Sequence, residues 1–203
     1  MFTHLLEILG IFVVNLINSL GYGGVFLTMA IESACIPLPS EIIMPFAGYL
    51  VYSGKFNLLV VSLWGALGNL FGSWVAYGVG YYGGRPFLDK YGKYILLNKK
   101  DLDLADRWFN RHGQSTVFFS RLLPVIRTFI SLPAGISKMN FGKFSFFTFI
   151  GALPWCYFLA WVGFKLGPNW ASLRVYFHRF DLVIGLILIL GIIWFVKKHL
   201  KKN

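Results

Sequence analysis

The sequence predicts an all-α polytopic membrane protein, an inverted repeat with two re-entrant broken-helix hairpins plus transmembrane helices. Three observations carry that reading. The 203 residues are 57% apolar and 19% aromatic but only 13% charged, too greasy for an ordinary soluble domain. Apolar runs recur along the whole length. Two of those runs are broken by proline and carry ionisable groups, one between Glu32 and Glu41 and one between Arg121 and Arg127. A charge at the bilayer centre costs roughly 2.5 to 3.5 kcal/mol, so four unpaired ones would cost on the order of 10 to 14 kcal/mol. They must face one another, water or a ligand. Two acids in one segment and two bases in the other are what a shared intramembrane site needs.

In chain order, residues 1–20 hold an N-terminal helix whose apolar part, Leu5 to Leu20, is about 24 Å long and crosses tilted or lies at the interface. No basic n-region or small-residue cleavage site accompanies it, so the segment is expected to be retained. Residues 24–52 are apolar yet contain Pro37, Pro39, Pro45, Glu32 and Glu41, and the part before Pro37 is too short to cross about 30 Å. Two half-helices joined by a loop, a re-entrant hairpin, fit this pattern. Ser40 is a natural N-cap for the second half, with Glu41 in its first turn beside the positive helix end. Residues 56–82 are long enough to span, and Gly65, Gly68 and Gly72 offer a small face for close helix packing. Residues 85–113 are a polar cytoplasmic loop in which Leu102, Ala105, Trp108 and Phe109 form the stripe of an amphipathic surface helix ending at Gly113.

The second half repeats the plan. Residues 114–139 are apolar but broken at Pro124 and Pro133, giving a second hairpin; 141–166 and 182–196 span, and 197–203 is a basic tail. Together, residues 1–203 read as a single integral membrane domain. Pro37 with Ala47-Gly48 recurs as Pro124 with Ala134-Gly135 at an offset of 87, and Gly65-Ala66-Leu67 recurs as Gly151-Ala152-Leu153 at 86. Each match is short. Their near-constant offset across two kinds of element argues for a repeat.

The formal charge of +11 does not point to nucleic acid, because Lys and Arg sit in short segments between apolar runs. That pattern orients membrane proteins and meets anionic headgroups. Seven of them fall in 85–111, two at Lys138 and Lys143 and four in the tail, against Lys55, Lys165, Arg174 and Arg179 on the opposite side. Both termini are then cytoplasmic, the first hairpin enters from outside and the second from inside. Inverted repeats of this kind build transporter sites where broken helices meet near the midplane. Cys35 and Cys156 lie far apart in apolar sequence and read as buried thiols.

At these residues the chain resembles the DedA membrane proteins, which share the SNARE-associated or VTT domain. The resemblance covers roughly residues 20 to 168 and rests on Glu32 to Glu41, on Phe119 to Arg127, on Pro133-Ala134-Gly135, and on Gly151 with Trp155. Arg-x-x-Pro-x-x-Arg followed by Pro-Ala-Gly is its specific motif. The resemblance implies two re-entrant hairpins, lipid translocation in several members, undecaprenyl phosphate recycling in some bacterial ones and phosphatidylethanolamine movement in others. It also implies that the matching acids and arginines are essential and that activity depends on proton motive force.

The residue chemistry fits a lipid phosphate. Arg121 and Arg127 can clamp its oxygens bidentately, and Glu32 and Glu41 can hold the arginines when the site is empty. Apolar burial disfavours an ionised carboxyl, so Glu32 and Glu41 are also the proton-coupling candidates. Ser40, Thr128, Ser120 and Ser131 supply further donors. Pro37, Pro39, Pro124, Pro133, Gly48 and Gly135 shape the loops. The competing readings are a buried structural ion pair, which gains little over apolar packing, and for Asn69 and Trp155 interhelical bonding and packing. An enzyme, a membrane phosphatase, would need a nucleophile with a partner base, and no His lies near either broken segment. A structural protein of the envelope is a third class. No His, Cys or carboxylate cluster has metal-ligand spacing, and no cofactor is expected. The partners read from the sequence are a polyprenyl phosphate or phospholipid, protons, and a second copy in a homo-oligomer. The reading is a transporter that moves a phosphate-bearing lipid between leaflets of the cytoplasmic membrane.

The charge map predicts that single cysteines placed at position 95 and in the C-terminal tail are protected from an impermeant thiol reagent in intact cells, whereas those at 55 and 172 react. Labelling of the tail from outside would overturn the map.

Overall fold

The computed structural model describes residues 2–35, 38, 40–91, 99–122 and 126–167. Pro37, Pro39 and Pro124, the 182–196 span and the basic tail lie outside these residues. Among the described residues all regular structure is helical: α1 Phe2–Leu20, α2 Tyr22–Ser33, α3 Ser40–Tyr52, α4 Leu58–Tyr91, α5 Lys99–Ser120, α6 Ile126–Phe129, α7 Ser131–Ile136 and α8 Phe141–Leu166. The chain divides into two compact units, Met1–Lys165 and Leu166–Asn203, where the sequence reads as one domain. Apart from the last residue of α8, these helices belong to the first.

Among the described residues two helices are long and apolar enough to cross a membrane, Leu58–Gly84 within α4 and Phe141–Leu166. The expected spans at 56–82 and 141–166 coincide with them. α2 and α3, with 12 and 13 residues, are each about 20 Å long, short of the roughly 30 Å of a hydrocarbon core. Two short helices therefore occupy this part of the chain. Gly21, at φ 60°, separates α1 from α2, and its amide closes α1 on the Ile17 carbonyl at 2.9 Å. Cys35 takes a left-handed φ of 67° just past the end of α2. Its thiol is half-buried and that of Cys156 is buried, so the expected burial applies fully only to the latter.

One boundary differs from the sequence reading. α5 does not stop at Gly113 but continues to Ser120. Glycine inside a helix costs only about 1 kcal/mol, and Gly113 is buried where a β-carbon would approach Met139 Sδ to 3.3 Å. Phe109 and Val117, above and below it, are buried with Tyr77, Ile130, Ala134 and Phe144. This part of the helix thus belongs to the core rather than to a surface.

Close packing is carried by glycines facing backbone. On α4, Gly68 and Gly72 lie against the Phe26 and Ala30 carbonyls of α2, and Gly65 lies against the Met44 side chain of α3. Gly48 of α3 meets Ala160 of α8 while Gly163 of α8 meets Pro45 of α3. In the same way Gly135 of α7 meets Tyr77 of α4 while Gly80 of α4 meets Leu132 of α7. Each of these contacts except that of Gly65 lets two helices approach to backbone distance, which is how helices associate where lipid removes the hydrophobic drive.

The glycines sort by what faces them. Gly72→Ala drives a methyl into backbone and is expected to cost about 1 to 3 kcal/mol. Gly65→Ala meets the flexible end of Met44 and, at ordinary contact distance, Cys156 Sγ, so it should cost less, and Gly78→Ala, with open space around it, should be neutral or stabilising. Thermal melts of the purified variants in one detergent check this order; equal melting temperatures for Gly72→Ala and Gly78→Ala would refute it.

Candidate functional site

The site is assembled from chain breaks. Glu32 sits one residue from the end of α2, Glu41 in the first turn of α3, Arg121 just past the end of α5, and Arg127 in the four-residue α6. The short helices α2, α3 and α6 and the end of α5 leave charged groups inside the protein. The structure brings the acids of one broken segment to the base of the other. Arg127 Nη2 donates to Glu32 Oε1 at 2.8 Å and lies 3.6 Å from Glu41 Oε1. The side chains of Glu32 and Arg127 are 4% and 3% exposed, whereas that of Glu41 is 24% exposed. Glu32 is the deep partner and Glu41 the shallow one. Ser40, buried at the start of α3, donates its hydroxyl to Glu41 Oε2 at 3.3 Å.

Arg121 has a different environment. Its Nη1 donates to Asn69 Oδ1 of α4 at 3.2 Å and to the Arg127 carbonyl of α6 at 2.9 Å. Its Nη2 donates to Ser131 Oγ of α7 at 2.8 Å and to Thr148 Oγ1 of α8 at 3.4 Å. No carboxylate is among these acceptors. Gly151, one turn along α8 from Thr148, makes room for the chain of Arg121: a β-carbon there would approach Arg121 Cβ to 2.9 Å and the Phe118 carbonyl to 3.0 Å.

The remaining residues singled out in the sequence fall around this pair. Thr128 is half-buried, and its carbonyl accepts from the Cys35 thiol at 3.5 Å. Ser120 donates into its own helix at Val117. Gly48 and Gly135 are packing positions rather than loop positions, for the reasons given above, and Pro133 lies within α7. Trp155 of α8 places its ring 5.3 Å from Arg127 Cζ, a cation–π distance. Asn69, Thr148 and Trp155 are site residues that sequence reasoning did not assign. A lone Asn in an apolar span was the available signal for the first; a Thr among aromatics gave none for the second. Around the ion pair, Glu32 Oε2, Arg121 Nε, Arg127 Nε and Trp155 Nε1 are buried without a protein hydrogen-bond partner. Among the described residues no three His, Cys, Asp or Glu side chains are grouped so as to hold a metal ion.

The family model of the VTT domain matches residues 38–165, more than half of the chain. The chain belongs to the VTT domain family. The match contains Glu41, Arg121, Arg127 and Trp155, and Glu32 lies just before it. Among curated proteins, the membrane protein YkoX of Bacillus subtilis is 42% identical over 187 residues, covering 92% of this chain and 83% of that protein. Undecaprenyl phosphate transporter A of the same organism is 38% identical over 154 residues, 76% of each. An alkaline phosphatase-like protein of Lactococcus lactis is 32% identical over 196 residues, 92% of each. No solved structure matches. With relatives named as membrane proteins and two helices of spanning length, this VTT-domain chain is a membrane protein.

Breaking a buried pair by removing one partner leaves an uncompensated charge and costs about 3 to 5 kcal/mol. Arg127→Met is therefore expected to destabilise strongly, and Glu32→Met in the same chain to recover part of the loss. Glu41→Met in place of Glu32→Met should recover less, because Glu41 is farther away and less buried. Melting temperatures of the single and double variants measure both couplings; strict additivity for Glu32 and Arg127 would exclude the contact.

Proposed function

We propose that this protein moves a phosphate-bearing lipid across the cytoplasmic membrane, with undecaprenyl phosphate the first candidate. The observation that carries the reading is a buried arginine, Arg127, whose counter-ions are two carboxylates of a different segment, one of them only partly buried. A phosphate offers a guanidinium the same anionic oxygens as a carboxylate, so a lipid headgroup can take the place of Glu32 on Arg127. Relatives named undecaprenyl phosphate transporter A, in Bacillus subtilis and in Staphylococcus aureus, support the lipid. Phosphatidylethanolamine or a general phospholipid is the alternative cargo.

In this reading the α2–α3 pair and the segment from the end of α5 through α7 are re-entrant hairpins that enter from opposite sides, related as inverted repeats, with both termini cytoplasmic. The reciprocal glycine contacts support it. Gly48 and Gly135, 87 apart, each pack on the long helix of the other half, and Gly163 and Gly80 answer them. Alternating access then consists of one hairpin moving against the other around the Glu32–Arg127 contact. Protonation of Glu32 or Glu41 would release Arg127 for the phosphate and couple the cycle to a proton gradient.

The name of the Lactococcus relative favours one other reading, a phosphatase acting on the same headgroup. Purified protein in vesicles holding labelled undecaprenyl phosphate or phosphatidylethanolamine, with and without a pH gradient, separates the two. A transporter exchanges leaflets without chemical change; a phosphatase releases inorganic phosphate. Arg127→Lys keeps the charge but loses the planar fork, so exchange should fall at least tenfold in folded protein. Glu32→Gln or Glu41→Gln should abolish dependence on the gradient at whichever residue carries the proton. Parent-like exchange in all of these variants would make the intramembrane charges scaffold.

A further inference from the structure

The two buried arginines are not equivalent. Arg121 spends both terminal nitrogens on four protein acceptors contributed by α4, α6, α7 and α8, at 2.8 to 3.4 Å. Handing that guanidinium to a ligand would take contacts away from four segments at once. It would also strand Asn69, Ser131 and Thr148, all of them buried. Arg127 is held instead by side-chain carboxylates, which a phosphate can replace oxygen for oxygen without disturbing the backbone.

Beside Arg127 a second donor is waiting. The Trp155 ring lies 5.3 Å from Arg127 Cζ, and its Nε1–H is buried without a protein acceptor. Indole N–H is a donor only, and a buried donor left unmade is costly. An aromatic face that steadies a guanidinium and a free N–H on the same ring suit an anion that arrives at the guanidinium. Resting on the transport reading above, we propose that the phosphate oxygens of the lipid are received by Arg127 together with the indole N–H of Trp155, and that Arg121 takes no phosphate but ties the surrounding segments together.

The test is titration calorimetry of purified protein in detergent micelles with farnesyl phosphate, with farnesol as the uncharged control, with inorganic phosphate as a third ligand, and with melting temperatures recorded in parallel. The parent is expected to bind farnesyl phosphate and not farnesol. Trp155→Phe keeps an aromatic ring beside Arg127 but loses the N–H together with part of the bicycle, so affinity should fall about tenfold with a smaller loss of melting temperature than Arg121→Lys shows. Arg127→Lys should weaken binding at least as much. Arg121→Lys should lower the melting temperature while leaving the dissociation constant within about threefold; Ser131→Ala, which removes one acceptor of Arg121, gives the same split if Arg121→Lys does not fold. Inorganic phosphate showing the same ranking would keep the seat and assign it to the anion rather than the lipid. If the parent binds farnesyl phosphate but Trp155→Phe binds as tightly, or Ser131→Ala weakens binding as much as Arg127→Lys, this assignment falls and the transport reading stands. A parent indifferent to the phosphate group overturns both.

Discussion

A guanidinium cannot be left unpaired in an apolar interior, and Arg121 meets that demand by drawing four segments onto one group. Its acceptors come from α4, α6, α7 and α8, so the long helices and the second broken segment are registered against each other by a single side chain. Gly151 belongs to the same device, since any larger residue there would push against the Arg121 chain. One acceptor is the carbonyl of Arg127, which fixes the backbone of the residue that faces the acids. The second arginine is thereby held in place by the first.

Beyond that tie, the fold solves a problem of length. α2, α3, α6 and α7 are too short to cross a bilayer, and the ends that carry Glu32, Ser40 and Arg127 are buried among other helices. Covering them requires helices to approach very closely. Glycines opposite backbone carbonyls at Gly68, Gly72, Gly48, Gly163, Gly80 and Gly135 provide the approach. The charge site and the glycine contacts are two aspects of one arrangement: broken segments are tolerated only where close-packed neighbours replace lipid.

The acids differ by depth, and depth gives them different chemistry. Glu32, at 4% side-chain exposure, keeps one oxygen on Arg127 and has the other buried without a partner. Glu41, at 24%, is farther from Arg127 and takes a hydrogen bond from Ser40. A change at the deep acid acts on the 2.8 Å contact to Arg127, whereas a change at the shallow one acts across 3.6 Å.

Helix type, the long spans at 56–82 and 141–166, the broken character of 24–52 and the need for Glu32, Glu41, Arg121 and Arg127 to find partners were all legible in the sequence. Length, hydropathy and the energy of a charge in lipid are local properties of the chain. The end of α5 was not legible, because Gly113 weakens a helix locally and only the packing of Phe109, Val117 and Met139 carries the helix through it. Nor could the sequence say which acid meets which arginine. Opposite charges in two segments allow several pairings, and the choice of Glu32 for Arg127, with Asn69, Ser131 and Thr148 for Arg121, is set by where four helices cross. Trp155 belonged to the residues of the family resemblance, yet nothing in the sequence said what its ring meets. Its place beside Arg127 exists only once α8 is packed, because a ring and a guanidinium 28 positions apart are brought together by tertiary structure alone.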